Sequence, residues 1–188
     1  MGAERRAATA QRPIGLGVRL FHWLSAALLA GTFGLAWSFD ALGPGATAGW
    51  LVTIHRSVGL TILGLTVLRL AWRAAHPLPP LPRGPGWEHW LARVVQTALY
   101  LALFAQPLLG WAASTAQGDS VSYLGLWPLP DLVEADPDRA DQFFALHKTL
   151  GFILLGLVGL HIAGALRHGL QRDGVLGRML TGTPLPSD

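Results

Sequence analysis

Four histidines lie inside apolar stretches of this chain, and they are the side chains there that could do chemistry. They are His22, His55, His147 and His161. Ionisable groups within an apolar span are costly to bury, so they are functional candidates by default. The chain has no cysteine, which excludes disulfides, thiolate zinc sites, iron–sulfur clusters and covalently attached c-type haem. A bound metal would therefore have to be held by histidine.

The composition is that of a membrane protein. Of 188 residues, 51% are hydrophobic and only 13% are charged, whereas soluble domains carry about 25% charged residues. The net charge is +3, and all basic residues except Lys148 are arginines. This basicity indicates loop topology rather than nucleic-acid binding. The expected partner is the lipid bilayer.

The apolar stretches have the length that a bilayer demands, about 20 residues at about 1.5 Å each. They cover residues 20–39, 50–72, 90–113 and 143–166, with turn-rich segments between them. We therefore predict an all-α fold, an integral membrane four-helix bundle in a single domain over residues 1–188, with terminal tails at 1–17 and 170–188.

The arginines predict the orientation of the bundle, because positively charged loops stay in the cytoplasm. Eleven basic residues precede the first span, flank the second loop or follow the last span: Arg5, Arg6, Arg12, Arg19, Arg69, Arg73, Arg83, Arg93, Arg167, Arg172 and Arg178. The third loop, over 118–141, is acidic. Both termini and both tails are therefore predicted to be cytoplasmic, and the acidic loop periplasmic.

The histidines fall at matched depths in the predicted spans. His22 and His161 lie near the cytoplasmic face, while His55 and His147 lie near the periplasmic face. His147 and His161 are 14 residues apart, which places them about 40° apart around one helix and about 21 Å apart along it. One stripe of the fourth helix therefore carries one histidine of each pair.

Two imidazoles per site suit a planar macrocycle that brings its own four nitrogens, whereas a lone metal ion needs three or four protein ligands. We therefore predict two b-type haems in the bundle core, one held by His22 with His161 and the other by His55 with His147. His168, which continues the stripe, is a less favoured alternative to His161.

A short internal echo surrounds the periplasmic pair. The run from His55 to Leu60 (HRSVGL) corresponds to the run from His147 to Phe152 (HKTLGF). Gly59 and Gly151 follow their histidines by one turn, where a missing side chain would let a flat ring approach the backbone. The alternative for both glycines is ordinary packing of membrane helices.

Three cations lie close to the predicted ligands in sequence. Arg56 and Lys148 each follow a histidine directly and could neutralise haem propionates or attract an anion. Their alternative is to extend toward the membrane interface. Arg19, three residues before His22, could serve the propionates of the cytoplasmic haem in the same way.

Beyond these patterns, the chain resembles the bacterial cytochrome b561 family of diheme inner-membrane proteins. The resemblance covers about Arg19 to Met179. It rests on FHWL at 21–24, His55 with Gly59, the proline-rich loop after His76, Tyr100 through Pro107 to Gly110, LGL at 124–126 with Pro130, and the closing run from Leu146-His147 through Leu160-His161 to RDGVL at 172–176 and RML at 178–180.

This resemblance implies a function. By motif position it implies two haems with the same histidine pairing that depth suggests, in the bacterial inner membrane. It further implies a superoxide oxidase-like enzyme, a superoxide:ubiquinone oxidoreductase that passes electrons from periplasmic superoxide to ubiquinone in the membrane. In that reading Arg56 and Lys148 are the catalytic cations that draw superoxide in.

Two other functions stay open. The first keeps the haems but makes the protein a quinol-linked electron-transfer cytochrome b, whose acidic loop docks a soluble cytochrome or a dehydrogenase or hydrogenase partner. The second makes the histidines proton-relay or packing groups of a small transporter or assembly subunit without a cofactor.

Overall fold

The computed structural model describes residues 14–76 and 85–182. Four long helices dominate it: α1 (Leu16–Leu42), α2 (Ala46–Ala75), α3 (Gly86–Ala116) and α4 (Pro137–Gln171). Each is long and apolar enough to cross a membrane, and each contains one predicted span. The predicted fold class, an all-α membrane helical bundle, is confirmed.

Two short elements complete the fold. Strands β1 (Ser122–Tyr123) and β2 (Trp127–Pro128) pair antiparallel in the connection between α3 and α4. A short helix, α5 (Val175–Leu180), follows α4. Four of the arginines used to predict orientation, Arg5, Arg6, Arg12 and Arg83, lie outside the described residues, as do most of the N-terminal tail and the last six residues of the C-terminal tail.

Local chemistry explains where the helices end. Helix α1 stops at Leu42 because Gly43 adopts a left-handed conformation with φ of 67°, which glycine allows without steric cost. Helix α4 begins at Pro137, whose missing N–H is no loss in a first turn. The Asp136 Oδ1 atom accepts the N–H groups of Asp138 and Arg139 at 3.0 and 3.2 Å, which caps the helix.

This cap makes α4 longer than the predicted span. The sequence interpretation treats residues 118–141 as turn-rich, whereas the structure starts the helix at Pro137 and places Asp138 and Asp141 in its first turns. The Asp136-Pro137 pair is a helix-start signal that hydropathy does not report, because the first turn is polar. The hairpin is likewise an addition to the predicted elements.

The chain divides into two compact units, and each contains part of every long helix. The terminal unit comprises the described residues of 14–23, 68–99 and 155–182. The loop unit comprises 24–67 and 100–154, including the hairpin. Buried residues of the loop unit are mostly small: Ser25, Ser57, Thr66, Ala102, Ala112, Ala113, Ser114, Thr115, Ala116 and Ala140. Small side chains let membrane helices approach closely.

Within the loop unit the hairpin is fastened to α2. The buried Ser57 hydroxyl donates to the Thr53 carbonyl at 2.8 Å and accepts the Leu124 N–H at 2.8 Å. The hydroxyls of Tyr123 and Thr61 lie 3.1 Å apart, within hydrogen-bond distance. The connection between α3 and α4 therefore has a fixed position on the helix that carries His55.

Candidate haem-binding sites

The loop unit brings the imidazole rings of His55 and His147 close together. His55 projects from α2 and His147 from α4, and their ring centroids are 6.2 Å apart with the ring planes at 74°. Their depth in the predicted spans and the family resemblance both pair these two residues, and the structure brings them together. Their role as haem ligands stays a prediction.

In both of these rings the Nδ1 atom lies within hydrogen-bond distance of a backbone carbonyl oxygen. Nδ1 of His55 lies 3.0 Å from the Thr32 carbonyl oxygen, and Nδ1 of His147 lies 3.0 Å from the Gln106 carbonyl oxygen. Because a carbonyl can only accept, each Nδ1 must carry the proton and donate. Each Nε2 then keeps its lone pair, which is the tautomer that a metal ligand needs.

Helix α3 is shaped to receive the His147 ring. A Cβ at Gly110 would lie 3.0 Å from Cε1 and 3.1 Å from Nδ1 of His147. Gly110 follows Gln106 by one helical turn, so the missing side chain opens the way to the Gln106 carbonyl. The Gln106 amide also donates to the His147 carbonyl at 2.9 Å, so helix α4 is fixed to α3 at this point.

Sequence reasoning missed Thr32, Gln106 and Gly110 as parts of this site. Thr32 and Gln106 hold the rings through backbone carbonyls, which every residue possesses, and their side chains add a hydroxyl 3.2 Å from Nδ1 of His55 and an amide that donates to the His147 carbonyl. Gly110 was part of the family resemblance, but its contact with His147 joins residues 37 positions apart. Pairing across helices is needed to see it.

The echo glycines lie against α3. A Cβ at Gly151 would meet the Gln106 amide nitrogen at 3.2 Å, and a Cβ at Gly59 would meet Pro107 at 3.9 Å. These are helix-packing contacts, the alternative weighed for both residues. Their approach to a flat ring stays a prediction.

The two cations that directly follow the loop-unit histidines have different surroundings. Arg56 forms an ion pair with Asp119 at 2.5 Å, and its side chain is 21% exposed. Lys148 is exposed. The sequence analysis treated them as equivalent, whereas the structure opposes the charge of Arg56 with a carboxylate of the acidic loop.

The terminal unit brings His22 and His161 together in the same manner. His22 lies on α1 and His161 on α4, with ring centroids 6.0 Å apart and ring planes at 59°. The surroundings differ, because Nη2 of Arg69 lies 3.4 Å from Nδ1 of His22. His168, the alternative ligand, has its Nδ1 2.5 Å from an Asp173 carboxylate oxygen, while the ring that faces His22 is that of His161.

Side chains on either side of His22 hold the C-terminal helix α5. Arg19 Nη2 donates to the Leu180 carbonyl at 2.6 Å, and the Trp23 indole donates to the Met179 carbonyl at 3.0 Å. Arg19 Nε is buried and has no hydrogen-bond partner within the part of the chain that the structure describes. A buried guanidinium donor of this kind suits a bound anionic group such as a haem propionate.

Both pairs fit an axially ligated haem. Two metal–nitrogen bonds of about 2.0 Å, with about 1.2 Å from each nitrogen to its ring centre, give a centroid separation of about 6.4 Å. The observed separations are 6.2 and 6.0 Å. In residues 14–76 and 85–182 no group of three or more histidine, cysteine or acidic side chains could hold a bare metal ion. The donor set therefore suits a metal that arrives with equatorial ligands of its own.

Four apolar helices that carry two closely spaced pairs of imidazoles define a helical membrane protein. Residues 14–182 match the prokaryotic cytochrome b561 family, and the chain belongs to that family. Membership makes it a membrane protein of an electron-transfer cytochrome family and implies binding of b-type haem.

Named relatives agree with this assignment. The chain is 34% identical to cytochrome b561 homolog 2 of Escherichia coli strain K12, over 85% of this chain and 87% of the relative. It is 32% identical to a probable superoxide oxidase, CybB, of Yersinia pestis, over 85% and 90% of the two chains. It is 28% identical to cytochrome b561 homolog 1 of Escherichia coli strain K12, over 85% and 92%.

Proposed function

We propose that this protein is a diheme superoxide:ubiquinone oxidoreductase of the bacterial inner membrane. One haem is held by His55 and His147 and the other by His22 and His161. The observation that carries the proposal is the spacing of the two imidazole pairs. Their ring centroids are 6.2 and 6.0 Å apart, close to the value of about 6.4 Å expected for two imidazoles that bind one metal. The choice of substrate is supported by the relative named as a probable superoxide oxidase.

The reaction balances through single electrons. Two superoxide anions each lose one electron and become two molecules of dioxygen. One ubiquinone takes up the two electrons and two protons and becomes ubiquinol. Bound haem would supply the one-electron carrier that such a reaction needs, because superoxide delivers one electron and a quinone takes two.

The protein's own residues would prepare the loop-unit site for this chemistry. The Thr32 and Gln106 carbonyls fix the tautomer and orientation of the two imidazoles, as partners of metal-ligating histidines commonly do. Gly110 provides the space for the His147 ring. In the terminal unit, Arg19 would hold a propionate through its buried Nε.

Two cations would draw superoxide toward the loop unit, which we place on the periplasmic side with both termini in the cytoplasm. A cluster of positive charge raises the local concentration of an anion and its rate of arrival. The charge of Arg56 is opposed by the Asp119 carboxylate in an ion pair, whereas Lys148 is exposed. We therefore assign the larger share of this attraction to Lys148.

The test is a redox assay on protein purified in detergent from a haem-replete host. We expect about two haems per chain, rapid haem reduction by a superoxide-generating system, abolition of that reduction by superoxide dismutase, and reduction of added ubiquinone. Neutralising Lys148 and Arg56 together should slow the reaction and flatten its salt dependence. Haem that superoxide does not reduce would overturn the proposal, and a colourless preparation would favour the cofactor-free alternative.

A second candidate, the quinol-linked electron carrier, rests on the exposed carboxylates of the loop unit. Asp131, Glu134, Asp138 and Asp141 are all exposed and would suit a basic soluble protein. In that case a basic soluble cytochrome should exchange electrons rapidly with the protein in low salt and slowly in high salt, and superoxide should have no effect.

A further inference from the structure

The two pairs of histidines differ in what faces their Nδ1 atoms. In the loop unit, His55 and His147 each donate from Nδ1 to a carbonyl oxygen, of Thr32 and Gln106, at 3.0 Å. Such a bond makes the ligating nitrogen more basic. A more basic ligand stabilises the more positive, oxidised metal, so these carbonyls favour the oxidised form of the site.

The positive charges beside the loop-unit ligands are either opposed by a carboxylate or exposed. Arg56 follows His55 directly, but its guanidinium is 2.5 Å from the Asp119 carboxylate, which opposes its charge. Lys148 follows His147 and is exposed, where water screens its charge. We therefore expect each of these cations to act on its neighbouring imidazole less than a cation held against the ring would.

The terminal unit has the opposite arrangement. Nη2 of Arg69 lies 3.4 Å from Nδ1 of His22, whose ring lies 6.0 Å from that of His161, centroid to centroid. Arg69 lies within the apolar helix α2, where water screens a charge poorly. A His22 that ligates through Nε2 carries its proton on Nδ1, so Arg69 would then act on the site through its charge and not as a hydrogen-bond donor.

We infer that Arg69 raises the reduction potential of the haem held by His22 and His161 above that of the haem held by His55 and His147. Reduction adds one electron and lowers the charge of the site by one, so a nearby fixed positive charge favours it. This inference rests on the proposed function and gives it a direction. With haem bound at both sites, this order of potentials would favour electron transfer from the loop-unit site to the terminal-unit site.

The experiment is a potentiometric titration of the haem spectrum in single-haem variants. The His147→Ala variant should keep the terminal-unit haem, and the His22→Ala variant should keep the loop-unit haem. We expect the haem of the His147→Ala variant to have the higher potential. The reverse order, or equal potentials, would overturn the inference.

Removal of the charge tests the role of Arg69 directly. In the His147→Ala background, Arg69→Gln should shift the remaining haem to lower potential, toward that of the loop-unit haem, while Arg69→Lys should keep most of the potential. Arg73→Gln, on the same helix one turn farther and exposed, is the matched control and should shift it much less. An equal shift from Arg73→Gln and Arg69→Gln, or no shift from Arg69→Gln, would show that Arg69 does not set the potential.

These outcomes separate the inference from the proposed function. Superoxide-dependent haem reduction with the wrong order of potentials would remove the inference and leave the function. The expected order of potentials without any superoxide reaction would remove the proposed function and leave the inference about Arg69. If Arg69→Gln fails to bind haem, the order of the two single-haem variants and the Arg69→Lys potential still decide the question.

Discussion

The loop unit and the terminal unit present the same ligand pair in different electrostatic settings. In each unit two imidazoles from two helices face one another at about the spacing of axial ligation. In the loop unit they donate to backbone carbonyls, whereas in the terminal unit one of them faces the Arg69 guanidinium. In the proposed function the same ligand pair would bind haem in both units, and its surroundings would decide how easily each site accepts an electron.

The two similar runs at 55–60 and 147–152 also have different surroundings. Arg56 and Ser57 are engaged, one with Asp119 and the other with the hairpin through Leu124. Their counterparts Lys148 and Thr149 are exposed. Two runs of similar sequence therefore make different contacts, because among the described residues only the run from His55 to Leu60 contacts the connection between α3 and α4.

The largest expected effect comes from removal of a ligand. His147→Ala should lower the haem content from about two per chain to about one, and His22→Ala should do the same at the other site. The measurement is the haem-to-protein ratio with an optical spectrum. His168→Ala is the control and should keep both haems, because its imidazole is engaged with Asp173. Loss of both haems from either ligand variant would break the division into two independent sites.

A smaller effect is expected from filling the space beside His147. Gly110→Ala places a methyl group 3.0 Å from the ring, and overpacking of this kind typically costs about 1–3 kcal/mol. We expect weaker haem retention in the loop unit alone, measured by haem loss to a competing haem-binding protein. Gly64→Ala, where a methyl group meets nothing within 4 Å, should leave retention unchanged. Equal effects of the two substitutions would argue against the Gly110 contact.

A smaller effect is expected when the hydrogen bond between Ser57 and the hairpin is removed. Ser57→Ala removes the acceptor of the Leu124 N–H in a partly buried hydrogen bond, and the net loss of such a bond costs about 0.5–1.5 kcal/mol. We expect faster proteolytic cleavage between α3 and α4, with cleavage elsewhere unchanged. Thr149→Ala, at the matching position of the echo, should have no effect on cleavage. Similar cleavage of the two variants would mean that the serine does not hold the hairpin.

The smallest effect is expected at the ion pair. Asp119→Asn frees the charge of Arg56, so superoxide oxidation should become faster at low ionic strength by less than about tenfold. The difference should shrink as salt is added, since exposed charges are screened over about 8 Å at physiological salt. A rate that falls, or that rises equally at all salt concentrations, would contradict an electrostatic role for this pair.

Hydropathy predicts the four helices because a bilayer imposes one length and one polarity on every span. Histidine depth predicts the two ligand pairs for the same reason. The start of α4 at Pro137 lies outside this logic, since capping by Asp136 depends on local hydrogen bonds and not on apolarity. Hydropathy patterning is also silent on the hairpin between α3 and α4, because its two-residue strands are too short to produce a signal.

Residue type and spacing along one chain are enough to specify the class of the protein, its four long apolar helices and the histidines available as ligands. The groups that surround those histidines are set by how the helices pack. Several groups at or near the two sites are distant in sequence from the residues they contact: Thr32, Gln106, Gly110, Arg69 and Asp119. Contacts made through a backbone carbonyl, moreover, do not depend on residue type. The physical reason is that a helix specifies which face a residue occupies, while its neighbours on the next helix depend on how the helices pack.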